Sequence, residues 1–500
     1  MRRILAIALF SVCSLSAVRA ADPAATPKAA DARDNIVTTS HSMKLGAQTI
    51  NYKAHAGTIV LRNDEGKARA NFFVVAYVRD GVDPATRPVT FTFNGGPGSS
   101  SVWLHMGAFG PKRVVYADDM GNATRPPYRL TDNEATILDV SDLVFIDPVT
   151  TGFSRAIPHE DARKFHGVDA DVESVGELIR LWTTRYGRWS SPKFLAGESY
   201  GTTRAAGLAG WLQSQGYYLN GVMLISSVLN FGTVRFDSGN DLPYILFLPT
   251  YTATSWYHKK LPQELQQLSL ESVVAQAEEF ALGDYASALI RGDRLPDTAR
   301  QSVIQRLARF TGLTPEYIER TNLRIDIHRF DKELLRDQRR TVGRLDSRFT
   351  GIDLDAAGET PEFDPSYASI YGEYTGTFND WVRRGLRFET DMPYEILTGK
   401  VRPWNYEQSQ NRYLDVAETL RAAMSRNPHL RVLVANGYYD LATPFAATHY
   451  TFSRMQLDPS LRDNVTMTYY PSGHMMYVEK DSRLQLRDDV LAFIRASTSN

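Results

Sequence analysis

Two hydrophobic patterns alternate along this chain. The first is short, β-branched and almost wholly apolar: "PVTFTFN" from residue 88, "LVFIDPV" from 143, "KFLAGES" from 193, "GVMLISSV" from 221 and "RVLVANGYYD" from 431. Segments of that kind read as strands buried on both faces. The second has helical spacing, as in "DADVESVGELIRLWTTRYG" (169–187) and "DVAETLRAAMSRN" (415–427), and it separates several of the strands. Ahead of them, "TINYKAHAGTIVLRN" and "ARANFFVVAYVRDG" alternate or run apolar between turn residues, as strands with Gly/Asn/Asp boundaries do. Strand–helix alternation predicts an α/β fold with a mostly parallel central sheet covered on both faces.

Between residues 235 and 385 the strand pattern stops. "PQELQQLSLESVVAQAEEFALGDYASALIRG" and "LTPEYIERTNLRIDIHRFDKELLRDQRRTVGRL" are charged and helical, and the sheet pattern then resumes. Each flanking half holds only part of a core. The economical organisation is a core over 36–234 and 386–500, with a helical cap inserted at 235–385. The Arg-rich part of the insertion, 329–348, mixes both signs and reads as a solvated face; contact with substrate carboxylates is the alternative.

Residues 1–20 read differently again. Met1-Arg2-Arg3 is a positive start, "ILAIALFSVCSL" a short apolar run, and "AVRA" ends in the small residues a signal peptidase needs. That predicts a signal peptide and an exported protein, periplasmic or secreted, with a disordered Ala/Pro/Asp lead-in over 21–35. The apolar run is too short to span a bilayer. Its removal takes Arg2, Arg3 and Arg19 from a formal net charge of −1, making the remainder more acidic by three charges. Nothing in that balance points to nucleic acid or an anionic membrane as a partner. The only cysteine, Cys13, leaves with the signal, so the exported chain carries no disulfide. Oligomeric state is not encoded in any of these patterns.

The chemistry begins at Gly197-Glu198-Ser199-Tyr200-Gly201, a G-x-S-x-G that follows a buried strand and opens an Ala-rich helix. That is the context of a nucleophile elbow, in which glycines let the chain turn sharply and expose a serine. A serine nucleophile needs a base and an orienting acid, which in this architecture follow it, acid first. Of the five later histidines, His258 and His328 lie in the insertion, His429 in a polar stretch, and His449 inside a helical pattern suited to packing. His474 sits in a glycine-bearing loop just past the last strand, where such sheets present catalytic groups. Asp440 ends the preceding strand; it reads as the acid, with a helix N-cap as the alternative. The oxyanion of acyl transfer needs two N–H donors. One comes from Tyr200, after the nucleophile, and the second from a glycine-rich loop after an early strand. "NGGPGSSS" (94–101) is that loop; no G-x-x-x-x-G-K-[ST] phosphate motif is present. "HEDARKFH" (159–166) has the wrong spacing for a zinc helix and reads as a solvated polar loop.

In order, "FNGGPGSSS", "LVFIDPVTTGFS", "GESYG", "NGYYDLATP" and "SGHMMY" resemble the successive blocks of the serine carboxypeptidase family, peptidase family S10. The resemblance implies an α/β-hydrolase fold with a helical cap and a Ser199–Asp440–His474 triad. It further implies oxyanion donors at Gly96 and Tyr200, with Asn94, Gly95 and Glu198 binding a peptide's C-terminal carboxylate. It implies a peptide substrate and neither a metal nor an organic cofactor. Two departures stand out. Ala108 in "HMGAFGP" occupies the place of a family glutamate, so a carboxyl pair with Glu198 is missing, and Ser99 stands where the family often has cysteine. A secreted esterase or acyltransferase on the same triad is the alternative function.

Overall fold

The computed structural model describes residues 32–406 and 409–499. The expected signal segment and most of the lead-in lie outside the described residues. The chain is tied down by Asp34, within the stretch expected to be disordered, because its carboxylate accepts the Val60 N–H at 2.9 Å and pairs with Arg185 at 2.5 Å.

Three long strands open the fold. Asn35–Leu45, Gln48–Arg62 and Ala68–Arg79 pair antiparallel, and the third pairs antiparallel with Asp142–Ile146. From there the sheet is parallel through Val89–Phe93, Lys193–Ser199, Gly221–Ser227, Arg431–Gly437 and Val465–Tyr470. The apolar runs read as doubly buried strands form the middle of this sheet, and the order of the parallel strands, 142–89–193–221–431–465, is that of a mostly parallel α/β sheet.

Period-two alternation sorts the side chains into two cores. Leu195, Val222, Leu224, Val432 and Val434 pack on one side, against the helices Val168–Arg185, Tyr200–Ser214 and Ala417–Arg426. Phe194, Ala196, Met223, Ile225, Leu433 and Ala435 pack on the other, against the Lys480–Thr498 helix and Ile370, Tyr374 and Phe378. Leaving the sheet after Ser227, the chain builds a third apolar cluster from the helices Leu242–Tyr257, Leu270–Phe280 and Asp297–Thr311. Tyr439, Leu441 and Phe445, just past the Arg431–Gly437 strand, complete that cluster. The helices that build this cluster thus pack beside the C-terminal end of the Arg431–Gly437 strand, whereas Pro365–Asp380 packs in the second core; Arg33–Asn500 forms one compact unit. Among the described residues no helix is long and apolar enough to cross a membrane.

The Arg-rich stretch 329–348 departs from its expected form. Its helix stops at Glu333, and Arg336–Gln338 is a short 3-10 turn. Lys332 pairs with Asp353 in the interior, and Asp346 pairs with Arg348 under cover. A mixed-sign run can be buried when each charge meets its opposite there, which the pattern of signs alone does not reveal.

Leu224 is fully buried at the centre of the sheet. Leu224→Ala is expected to lower unfolding free energy by about 2–5 kcal/mol through lost burial and a residual cavity, measured by denaturant titration.

Candidate active site

The elbow forms because the Lys193–Ser199 strand passes straight into the Tyr200–Ser214 helix. Ser199 joins them with φ 59° and ψ −129°, a conformation that costs a non-glycine residue on the order of 1–3 kcal/mol. The glycines around it are required by contact rather than by turning alone. A Cβ on Gly197 would meet the Gly201 carbonyl oxygen at 2.1 Å, and one on Gly95 would meet the Tyr200 nitrogen at 2.4 Å. The elbow and the "NGGPGSSS" loop therefore touch backbone to backbone. Tyr200 opens the helix, so its N–H has no acceptor within the helix. Gly96 adopts φ +105° on the loop opposite. Asn94, Gly95, Gly96, Glu198, Ser199, Tyr200 and His474 all line one cavity of about 550 Å³.

Two side chains from outside the loop brace it, and one of its own pins it. Arg204 donates to the Asn94 carbonyl at 2.7 Å and pairs with Asp171 at 2.7 Å, both fully inside. Asp147 accepts the Ser101 N–H at 2.8 Å. Ser99, where a cysteine is common in the family it resembles, accepts from the Trp103 indole at 2.9 Å and bonds the Ile396 carbonyl. Backbone bonds from Ser100 to Ile396 (2.9 Å) and from Thr398 to Gly98 (3.0 Å) fasten the same edge.

Asp440 and His474 come together as the spacing suggested. Asp440 Oδ2 lies 2.7 Å from His474 Nδ1, and the carboxylate also accepts from Ala442 N, Thr443 N and the Thr443 hydroxyl. It closes a turn as well as holding the imidazole, but it is not the helix N-cap of the alternative reading, since Pro444 occupies that position ahead of the Phe445–Ser453 helix. His474 is fixed at its backbone too. Its N–H donates to Leu345 O and its carbonyl accepts from Ser226 Oγ, each at 2.6 Å. Burial pulls the imidazole down, but Asp440's carboxylate, with a smaller push from Glu198, outweighs it and leaves the pKa above its ordinary value. The Ser199–His474 hydrogen bond is not formed here; such contacts often tighten only around substrate.

Glu198 is buried beside the elbow. Asn94 Nδ2 donates to its Oε1 at 2.9 Å and the Tyr477 hydroxyl to its Oε2 at 2.6 Å. Burial pushes its pKa up to about 7 against the pull of His474, Tyr477 and Asn94. Tyr477 escaped the sequence reading. Its ring stands where a Cβ on Gly107 would meet it at 2.6 Å, next in the chain to Ala108. The available signal was its place in "SGHMMY", three residues past His474 on a short turn.

The remaining histidines fall outside this cluster. His449 bridges Glu278 (2.8 Å) and the Tyr469 hydroxyl (2.6 Å), more than a packing role. His166, expected in a solvated loop, is covered and bonds the Thr150 hydroxyl at 2.8 Å. Among the described residues no cluster of three or more His, Cys, Asp or Glu is arranged to hold a metal ion.

Arg204→Met would strand Asp171 without its partner and is expected to cost about 3–5 kcal/mol. Asp171→Leu/Arg204→Met should recover most of that stability in denaturant titration while turnover stays depressed, because Asn94's carbonyl still lacks its donor.

The family pattern described as "Serine carboxypeptidase" matches residues 46–487. Two Arabidopsis thaliana proteins align over shorter stretches. Serine carboxypeptidase-like 34 is 27% identical over 161 residues (31% of this chain and 29% of that protein), and serine carboxypeptidase-like 33 is 34% identical over 121 residues (23% of each). The chain thus aligns with less than a third of either relative. Among solved structures, Kex1Δp, a prohormone-processing carboxypeptidase from Saccharomyces cerevisiae, superposes with a TM-score of 0.57 at 17% identity, covering 88% of this chain and 91% of that one.

Proposed function

Since the chain belongs to the serine carboxypeptidase family, we propose that it removes residues from peptide C-termini through an acyl-enzyme. Ser199 attacks the scissile carbonyl as His474 Nε2 takes its proton, and Asp440 holds the imidazole in the tautomer that presents Nε2. The N–H groups of Gly96 and Tyr200 stabilise the tetrahedral oxyanion. His474 then returns the proton to the leaving amine, and water, activated by the same imidazole, releases the shortened peptide. The segment Met1–Ala20 supports export, periplasmic or secreted.

One observation carries the exopeptidase reading: a buried carboxyl, Glu198, beside the nucleophile and bonded to Asn94 at 2.9 Å. An ionised Glu198 would repel a terminal carboxylate, whereas a protonated one donates a hydrogen bond to it. With its pKa pushed up to about 7, Glu198 is protonated below that value, and carboxylate binding is lost as pH rises through it. His474 acts as base only when neutral, above its own raised pKa. The Tyr477 hydroxyl takes over part of the role of the missing second carboxyl by holding Glu198 in place. The esterase or acyltransferase reading has one observation in its favour, the aliphatic Ala108 buried where the family carboxyl would stand.

The deciding assay compares N-blocked dipeptides bearing a free carboxylate with their amides and a simple ester, using Ser199→Ala as control. Ser199-dependent cleavage of the free acids at least about tenfold faster in kcat/KM, as one good hydrogen bond to a charged group supplies, is expected. Ester cleavage with the free acids untouched would replace this reading by the esterase one.

The pH profiles give a second check. For free acids kcat/KM should fall as pH rises through about 7, while for the ester only the ascending limb of His474 should remain. Tyr477→Phe removes a hydrogen bond that favours the ionised carboxylate, so the descending limb should move to higher pH.

A further inference from the structure

Three arginines stand around the mouth of the catalytic cavity. Arg235, Arg344 and Arg402 all line it, and all three are exposed. Each arrives on a different segment anchored to the catalytic parts. Arg344 precedes Leu345, whose carbonyl holds the His474 N–H at 2.6 Å. Arg402 follows the stretch in which Thr398 is bonded to Gly98 of the oxyanion loop at 3.0 Å. Arg235 lies over Phe231 (5.8 Å), a ring packed against Tyr200 (6.3 Å).

The positive charge is only partly offset. Neither Arg344 nor Arg402 has a carboxylate partner among the described residues, and Arg235 reaches only the Tyr406 hydroxyl at 3.2 Å. Asp364 on the outer wall carries a negative charge that offsets one of the three, but its oxygens are taken up by the N–H groups of Arg344, Leu345, Ser366 and Tyr367, so it forms no ion pair with their guanidinium groups. Glu198 lies at the floor with both oxygens engaged. Ordinary surface arginines sit in open water, where a pair is worth little. These share a concave site with Trp103, Phe231, Ile370 and Leu397 in its wall, and apolar walls of that kind focus the field of one sign.

Resting on the carboxypeptidase reading above, we propose that this mouth is a second carboxylate-binding site, in which Arg344, Arg402 and Arg235 engage an acidic side chain flanking the scissile bond, so that acidic peptides are the preferred substrates. The guanidinium fork matches a carboxylate with two parallel N–H donors, a fit no lysine provides. The site is distinct from the Asn94–Glu198 pair, which is aimed at the terminal carboxylate.

The test uses N-blocked dipeptides, and the corresponding esters, with Glu or its neutral isostere Gln on either side of the scissile bond, at low and high salt. It is run on the full chain and on Arg344→Gln, Arg402→Gln and their double variant. Because all three arginines are exposed, these variants should fold, which thermal melts check. In wild type, Glu is expected to exceed Gln in kcat/KM by about tenfold at one or both positions, as charge-assisted bonds to a carboxylate supply. The Glu/Gln ratio should shrink with salt and fall toward one in the double variant. Equal cleavage of Glu and Gln by wild type would overturn the proposal, as would a ratio that survives the double variant. A double variant that loses the preference for free acids over amides, with Glu/Gln unmoved, would instead put the arginines on the terminal carboxylate. The esters carry the comparison if free acids are not cleaved, an outcome that sinks the carboxypeptidase reading alone.

Discussion

The approach of two backbones sets the terms for everything else in the site. The turn that exposes Ser199 and the loop that follows the Val89–Phe93 strand meet so closely that the atoms of one side chain would not fit between them, as a Cβ on Gly95 would lie 2.4 Å from the Tyr200 nitrogen. Backbone donors can converge on a developing oxyanion only if nothing projects into that gap. The sheet provides the alignment, since the strands before the loop and before the elbow are parallel neighbours, with Phe93 paired to Gly197. The same register carries Asn94 and Glu198 out side by side, one residue past that pair, where they bond to each other. Arg204 holds the junction from beneath through Asn94's carbonyl. A buried ion pair is a poor source of stability in itself; here its value is positional.

Two titrating groups share the small space above that junction. Glu198 raises the pKa of His474, and a charged His474 lowers that of Glu198. Each favours the ionised form of the other, so the pair titrates as a unit rather than as two independent residues. Tyr477 adds a donor to Glu198 without adding charge. A second carboxyl in that position would disfavour ionisation by repulsion, whereas a phenol favours it by hydrogen bonding. The Tyr477 hydroxyl thus gives Glu198 a partner and favours its ionised form.

What the sequence made legible was local. The strands of the central sheet, the elbow with its glycines, the glycine-rich loop at 94–101, Asp440 at a strand end and His474 in the following loop each carry their reason within a few residues. Tyr477 was less legible because its meaning comes from Glu198, 279 positions away. The stretch 343–348 was misjudged for the same reason. Its charges look solvated until Arg348 is found bonded to Pro471 O and Ser472 Oγ, and Asp346 to the Gly473 N–H, which makes this part of the cap a strut under the histidine loop. Glycine spacing announces a turn, but a mixed run of Arg and Asp does not announce its partners.

The histidine loop's dependence on Leu345, and the 94–101 loop's on Ile396 and Thr398, bear on when the proposed site first exists. Chain synthesis delivers Ser199, the proposed nucleophile, well before the segments that fix the glycine loop beside it, and His474, the proposed base, comes later still. Contacts so distant in sequence close late, after the intervening chain has been laid down and packed. On the proposed mechanism, a growing chain carries its serine with no base to activate it through most of its own production. The order of residues would then act as a delay, with hydrolytic competence arriving together with the finished fold.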